Sequence, residues 1–312
     1  LAGYVLARRL KIPSALPVGL FTLWAGLFFF QGPVFYHLIV VVILVVWLAD
    51  IGRFWQTLAV VAAVSIYAGF SRINWIPMPG LIAAVFYFAE KPVGGRDLKH
   101  IARYLVLPAV WVIAGVAIGM ATQQFWAVYS GNPPEIYLSS FTSYMLWDRL
   151  LPNPSYPYGV LPLTLAVSAP LLIYLGIGLQ AWKKKHWVRV LAVVGITAAL
   201  FVGGMIVSAK IGGGTNLHNM DVFFVILLIL AVEFYYGRWI DERGQAVQVS
   251  SPPGLTITAV VFPILYLLTF FIPINESFES EAVNQELEKL QRFADRAVVK
   301  GCLLYTSPSP RD

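Results

Sequence analysis

Charged residues are scarce in this chain, 12% of 312, where a soluble domain carries about 25%, and hydrophobic residues make up 58%. So little charge cannot solvate a globular surface, which excludes an ordinary soluble protein and leaves an all-α, polytopic transmembrane helix bundle. Cysteine is nearly absent as well. The single one, Cys302, opens the tail CLLYTSPSPRD (302–312), which is expected to be a translated sequencing-adapter remnant rather than protein. With that tail set aside, no disulfide, cysteine–metal or thiol chemistry is available. An initiator Met and a signal-peptide layout are also missing, because the chain opens at Leu1 directly into ARRLK, so the natural start is expected to lie upstream. Internal repeats and low-complexity segments are lacking. The net charge of +6 would suggest a nucleic-acid partner in a soluble protein. Here the basic residues fall in short loops between apolar runs, which argues against nucleic acid and makes them reporters of membrane orientation.

What is present is a series of apolar windows. A bilayer core needs roughly 20 apolar residues per helix, and nine windows qualify as candidates: 14–31, 34–49, 55–70, 75–89, 104–123, 159–181, 188–208, 221–237 and 255–273. The window from Trp75 to Ala89 is the weakest, since Pro77 and Pro79 remove backbone donors near its start, and a re-entrant hairpin is the alternative there. With nine crossings, one set of loops holds fourteen Lys and Arg residues and the other, before the last span, only Arg72, Arg149 and Lys210. That asymmetry predicts the first set to be cytoplasmic and the second to face outward. Cytoplasmic connections such as KKKHWVR then read as plain orientation signals. The organisation expected is a transmembrane domain over 1–273, the start of an extracytoplasmic C-terminal domain over 274–301, and the tail. In 274–301, Val283, Leu287, Leu290 and Ala294 form a helical stripe with acidic residues in the first turns.

Every motif-like stretch falls on the outward loops. KIGGGTNLHNMD (210–221) precedes the helix starting near Asp221. Amides of Gly212, Gly213 and Gly214 can converge on an anion, a helix N-terminus adds unsatisfied donors, and Lys210 adds a full charge. Asn216 and His218 complete the polar stretch. The plainer reading is that the glycines end one helix while Asn219 or Asp221 caps the next. Three glycines exceed what a single C-cap requires and lose more entropy on folding. His218 with Asp221 is a weak candidate for a metal, no metal site is assigned, and a divalent cation is the one cofactor left open. SRINW places Arg72 and Asn74 on the same face. An arginine fork fits phosphate oxygens, and the plainer alternative is snorkelling to headgroups. In the long loop 123–159, SSFTSYMLWDRLL reads as a short helix, with Phe141 and Met145 on one stripe with the preceding Leu138, in an aromatic segment suited to the headgroup layer. Its Asp148, like Asp221, is a weak candidate for a catalytic acid or base, beside Arg149.

The multi-span apolar body, the outward polar loops, the GGGTN stretch before a helix and the C-terminal extension together resemble the GT-C superfamily of membrane glycosyltransferases. The resemblance implies a hexosyltransferase of the mannosyltransferase-like kind, taking a sugar from a polyprenyl-phosphate carrier at the outer face of a plasma membrane, bacterial by its loop type. Its partners would be that polyprenyl-phosphate-linked sugar and membrane lipid. Arg72, Lys210 and the Gly212–Gly214 amides would then stabilise the leaving phosphate, with a carboxylate as general base. In that family the main catalytic carboxylate usually sits in the first outer loop, which is expected to precede Leu1, so the resemblance assigns no catalytic residue here. The competing classes are a transporter or flippase of a lipid-linked substrate, and a non-catalytic scaffold. Ion-coupled carriers place ionisable groups or broken helices near the midplane. Glu233 and His37 lie toward the ends of their windows, while several prolines keep the carrier reading open.

Overall fold

The computed structural model describes residues 1–29, 36–131, 143–153, 158–183, 186–211, 217–247, 251–270 and 280–299. Among them the regular structure is helical, and the β geometry amounts to isolated bridging such as that between Ile240 and Ala246. The helices are α1 (Ala2–Arg9), α2 (Ala15–Phe28), α3 (Ile39–Leu48), α4 (Phe54–Ser71), α5 (Met78–Glu90), α6 (Leu98–Tyr129), α7 (Val160–Lys183), α8 (Trp187–Ile211), α9 (Asp221–Tyr235), α10 (Pro253–Phe270) and α11 (Ser280–Val299). Two units are distinguished, Leu1–Phe270 and Phe271–Asp312.

Each of the nine apolar windows holds one helix, from α2 to α10. Six helical stretches are long and apolar enough to cross a membrane: Phe54–Ser71, Ile73–Glu90, Leu98–Tyr129, Val160–Trp182, Trp187–Lys210 and His218–Tyr235. They make the chain an integral membrane protein by length and composition. The other three windows hold shorter apolar helices, Ala15–Phe28, Ile39–Leu48 and Pro253–Tyr266. The ten residues of α3 rise only about 15 Å, half of a bilayer's hydrocarbon core. At the other extreme α6 has 32 residues, about 48 Å, because its helix continues into the polar LKHIAR segment outside the expected window 104–123.

The window from Trp75 to Ala89, the weakest on sequence grounds, forms one of the most buried helices. Pro77 is the N-cap of α5 and Pro79 falls in its first turn, where backbone donors have no intrahelical acceptor to lose. A short 3-10 turn over Ile73–Trp75 leads into it, so α4 and α5 are joined by a tight corner. Every α5 residue from Met78 to Ala89 except Leu81 is buried, and α9 is buried throughout except for Tyr235. These two helices are the core around which α4, α6, α7 and α8 pack. Where α4, α5 and α6 cross, small residues let the backbones touch. A Cβ on Gly80 would lie 2.6 Å from Val112 Cα, and one on Gly69 would overlap the Gly119 carbonyl. With lipid as solvent, such close backbone packing replaces the hydrophobic drive for association.

Sequence periodicity gave no warning of α1. Its end belongs to the basic ARRLK stretch, yet Ala2, Gly3, Val5, Leu6 and Ala7 are buried. In the second unit, α11 forms over the expected stripe, with Leu287 and Leu290 exposed and surface pairs such as Lys289–Glu286 along it. Of the short helix expected in SSFTSYMLWDRLL (139–151), residues 139–142 lie outside the described residues. Its described end, 143–146, is not helical, and a 3-10 turn follows over Trp147–Leu150.

The crossing is open to a direct test. Gly80→Leu forces side-chain atoms into the α6 backbone and is expected to destabilise the detergent-solubilised protein by about 1–3 kcal/mol, read as a lower thermal midpoint. Gly176→Leu on α7, where a Cβ meets nothing within 4 Å, is the matched control and leaves the midpoint unchanged.

Candidate functional site

Four connections gather at one end of the bundle, and their own backbone and side-chain groups hold them there. Arg72 is the C-cap of α4, with an extended backbone that turns its side chain away from the helix axis. Its Nη1 donates to the His218 carbonyl at 3.1 Å and to Asp221 Oδ2 at 3.2 Å, while Nη2 donates to Asn219 Oδ1 at 2.6 Å. The Trp75 indole N–H, three residues on, donates to the same Asp221 Oδ2 at 2.7 Å. The other oxygen, Oδ1, receives the Val222 amide at 2.8 Å. Asp221 has no solvent exposure and Arg72 keeps 16%. The pair thus staples the corner between α4 and α5 to the first turn of α9.

The second joint lies on the far side of the same stretch. Leu146 donates its amide to the Ala209 carbonyl at 2.9 Å, and Arg149 Nη1 donates to the Lys210 carbonyl at 3.0 Å. Both acceptors belong to the last turn of α8, whose carbonyls have no intrahelical donor, so the long loop caps that helix. Asn153 closes the loop on itself by donating to the Asp148 and Leu151 carbonyls at 2.6 and 3.0 Å. A fourth connection reaches this end through the Tyr67 hydroxyl, which donates to the His37 carbonyl at 2.7 Å.

The residues singled out in the sequence are distributed as follows. Arg72, His218 and Asp221 meet directly, and Asn74 lies two residues beyond Arg72. Lys210 contributes its carbonyl to the Arg149 joint. Gly212, Gly213, Gly214 and Asn216 lie outside the described residues. Neither Asn219 nor Asp221 is the N-cap of α9; Asp221 is the first helical residue, and its carboxylate takes the Val222 amide. The cap position itself is Met220, and Asn219 is buried with its oxygen turned to Arg72. Leu217, just before, sits in the left-handed region at φ 54°, a strained setting for a branched residue, and its side chain is buried. The two acids differ sharply. Asp221 is enclosed by three donors, whereas Asp148 is exposed. No cluster of three or more His, Cys, Asp or Glu residues that could hold a metal occurs among the described residues. One further group stands out: the side-chain nitrogen of Asn74 is buried with no hydrogen-bond partner among the described residues. A buried donor left unsatisfied is uncommon enough to mark a position where a ligand or water is taken.

The sequence does not show Trp75 and Asn219 as partners of the Arg72–Asp221 pair, and it sets Arg149 beside Asp148 rather than against the end of α8. Their signal, a polar or indole group next to a helix end, is visible there, but the partner lies 146 residues away for Trp75, 147 for Asn219 and 61 for Arg149.

The Arg72–Asp221 pair is expected to dominate this end energetically. Arg72→Ala leaves a carboxylate in the protein interior without its cation and is expected to destabilise by about 3–5 kcal/mol. Adding Asp221→Asn removes the stranded charge, so the double variant melts above the single one. Thermal unfolding of the three proteins in one detergent measures the coupling. No family model, curated protein or solved structure matches this chain, so the functional reading rests on the geometry above.

Proposed function

We propose that this protein is an integral membrane glycosyltransferase that moves a sugar from a polyprenyl-phosphate carrier to an acceptor hydroxyl at the outer face of a bacterial plasma membrane. In this reading the nine windows all cross, and the segment after α10 is extracytoplasmic. The observation that carries the reading is the convergence of the four connections around Arg72, since a lipid-linked phosphate needs a polar site assembled at one end of an apolar body.

Within that site the roles divide by what each group has left to offer. Arg72 is a positioning residue, because its donors already hold His218, Asn219 and Asp221. It fixes the segment that follows the glycine-rich stretch at the N-terminus of α9, where partial positive charge favours a phosphate. Asn74 supplies a donor that no acceptor among the described residues uses. Asp148 is the acid able to reach an acceptor hydroxyl, being exposed, whereas Asp221 is enclosed. As general base it would draw the proton from the acceptor while the polyprenyl phosphate departs.

A carrier of lipid-linked substrate is the second reading, and one observation favours it. Inside the opposite end of the bundle, Glu90 accepts from Arg9 at 3.0 Å and from Arg238 at 2.9 Å. The fully buried Glu233 faces the same two arginines at 3.6 and 3.9 Å. An ionisable cluster between apolar helices is the equipment of a coupled transporter.

Reconstituted full-length protein separates the two. With a polyprenyl-phosphate sugar and acceptor in vesicles, the transferase releases polyprenyl phosphate, and Asp148→Asn lowers that release by about 100-fold, the lower bound for loss of a general base. Translocation of the lipid across the vesicle membrane without sugar release would replace this assignment with the carrier.

A further inference from the structure

Away from the site above, at the opposite end of the bundle, a polar cavity of about 490 Å³ opens among Gly94, Gly95, Arg96, His186, Asp241, Glu242 and Arg243. Three connections build it: the one between α5 and α6, the one between α7 and α8, and the one after α9. We propose that this cavity binds a phosphate-bearing anion, held by the Arg96 and Arg243 guanidiniums and by the unpartnered Nδ1 of His186.

The wall shows its preference for anions in what it already holds. Gly94, at φ +79°, gives the α5–α6 connection a turn that presents successive amides to one point. The Val93 and Gly94 amides both donate to Glu242 Oε2, at 2.8 and 3.1 Å. The other oxygen takes Arg189 Nη1 at 3.3 Å. Arg189 is itself fully buried, and it also donates to the Phe88 and Ala89 carbonyls at 2.8 and 2.7 Å. Glu242 is thereby neutralised within the wall. Asp241 Oδ1 likewise receives the Arg243 and Gln245 amides, at 2.8 and 2.9 Å. Both carboxylates of the cavity are engaged.

The cations are arranged differently. Arg96 and Arg243 are exposed, and neither side chain has an acceptor among the described residues. Two long helices, α6 and α8, begin within two residues of the cavity lining, at Leu98 and Trp187, and both turn their positive ends toward it. The N-cap of α6, Asp97, makes no capping bond, because its carboxylate is drawn to the His100 ring instead.

His186 supplies the independent indication. The residue is 3% exposed and lines the cavity, and its Nε2 bonds the Gly95 carbonyl at 3.2 Å. Its Nδ1 is buried with no partner among the described residues. With Nε2 donating, Nδ1 accepts in the neutral ring and donates in the imidazolium. A hydrogen phosphate or phosphomonoester satisfies either form, because it carries a P–OH donor beside P–O⁻ acceptors. A sulfate or simple carboxylate lacks that pairing. The ligand is therefore a phosphate group, free or as the headgroup of a membrane lipid.

Calorimetric titration of inorganic phosphate into the whole protein in a neutral detergent tests the site, followed by the same titration in nanodiscs of phosphatidylcholine with or without phosphatidic acid. Saturable phosphate binding is expected, weakened about tenfold or more in the Arg96→Gln/Arg243→Gln variant. These residues are exposed, so the melting temperature should hold. Arg53→Gln, which removes an exposed charge outside the cavity, leaves binding unchanged. Competition by phosphatidic acid identifies a lipid headgroup, and its absence identifies a soluble phosphate; both support the site. No binding, or equal weakening by Arg53→Gln, overturns it. Sugar transfer at the Arg72 end can fail without touching this result, since no residue is shared.

Discussion

The central helix α9 carries one acid at each end, Asp221 and Glu233, and neither has any solvent exposure. An ionised carboxylate inside a bundle is tolerable only beside a cation with good geometry, and α9 has no basic residue of its own. The cations must come from elsewhere in the chain. Arg72 arrives from the end of α4, Arg9 from the end of α1, and Arg238 from just beyond α9. This requirement explains why the connections are drawn in over the two ends of the bundle rather than left in solvent. It also explains the buried position of α1, whose last residue delivers one of the arginines.

The two ends use the same device for different purposes. At the Arg72 end, the cation holds an irregular stretch, including the strained Leu217, against the start of α9, so a polar loop acquires a fixed shape. At the other end, Arg189 satisfies the last carbonyls of α5, Phe88 and Ala89, which the helix cannot satisfy itself. It then reaches Glu242 with its remaining nitrogen and stacks over Trp182 at 4.5 Å. Trp182 in turn stacks on Trp239 at 4.6 Å and donates to the Ile240 carbonyl. One buried arginine therefore ties α5, α7, α8 and the connection after α9 together.

Hydropathy made the helices legible, and nine apolar windows correspond to nine helices, because burial along a membrane normal is a one-dimensional property. The prolines at 77 and 79 misled only until their position was known, since a first turn accepts what a helix interior rejects. Spatial pairing is the part that periodicity cannot carry. Arg72 and Asp221 stand 149 residues apart, and Arg9 and Glu90 81 apart. The basic loops illustrate the limit most clearly. KKKHWVR reads as an orientation signal, and yet its Arg189 is fully buried and its His186 nearly so. A signal did exist, since Arg189 lies inside an apolar window where an ionisable residue calls for a partner. Glu233 gave the same signal and was placed near a helix end without being matched to Arg9 or Arg238.

The satisfaction of buried polar atoms separates structural from receptive groups. The Glu233 oxygens and the Nε atoms of Arg9 and Arg238 have no hydrogen-bond partner among the described residues, but opposite charges face them at 3.6–3.9 Å, so they complete an ion-pair cluster. Asn74 and His186 are different. Each stands in a wall whose neighbours are engaged, Arg72 and Trp75 in one case and Glu242 and Asp241 in the other, and each keeps one nitrogen without a partner among the described residues. The network satisfies most buried polar groups among the described residues and leaves a few open, the Asn74 and His186 nitrogens and the Trp239 indole among them, and such exceptions concentrate where a fold meets a ligand.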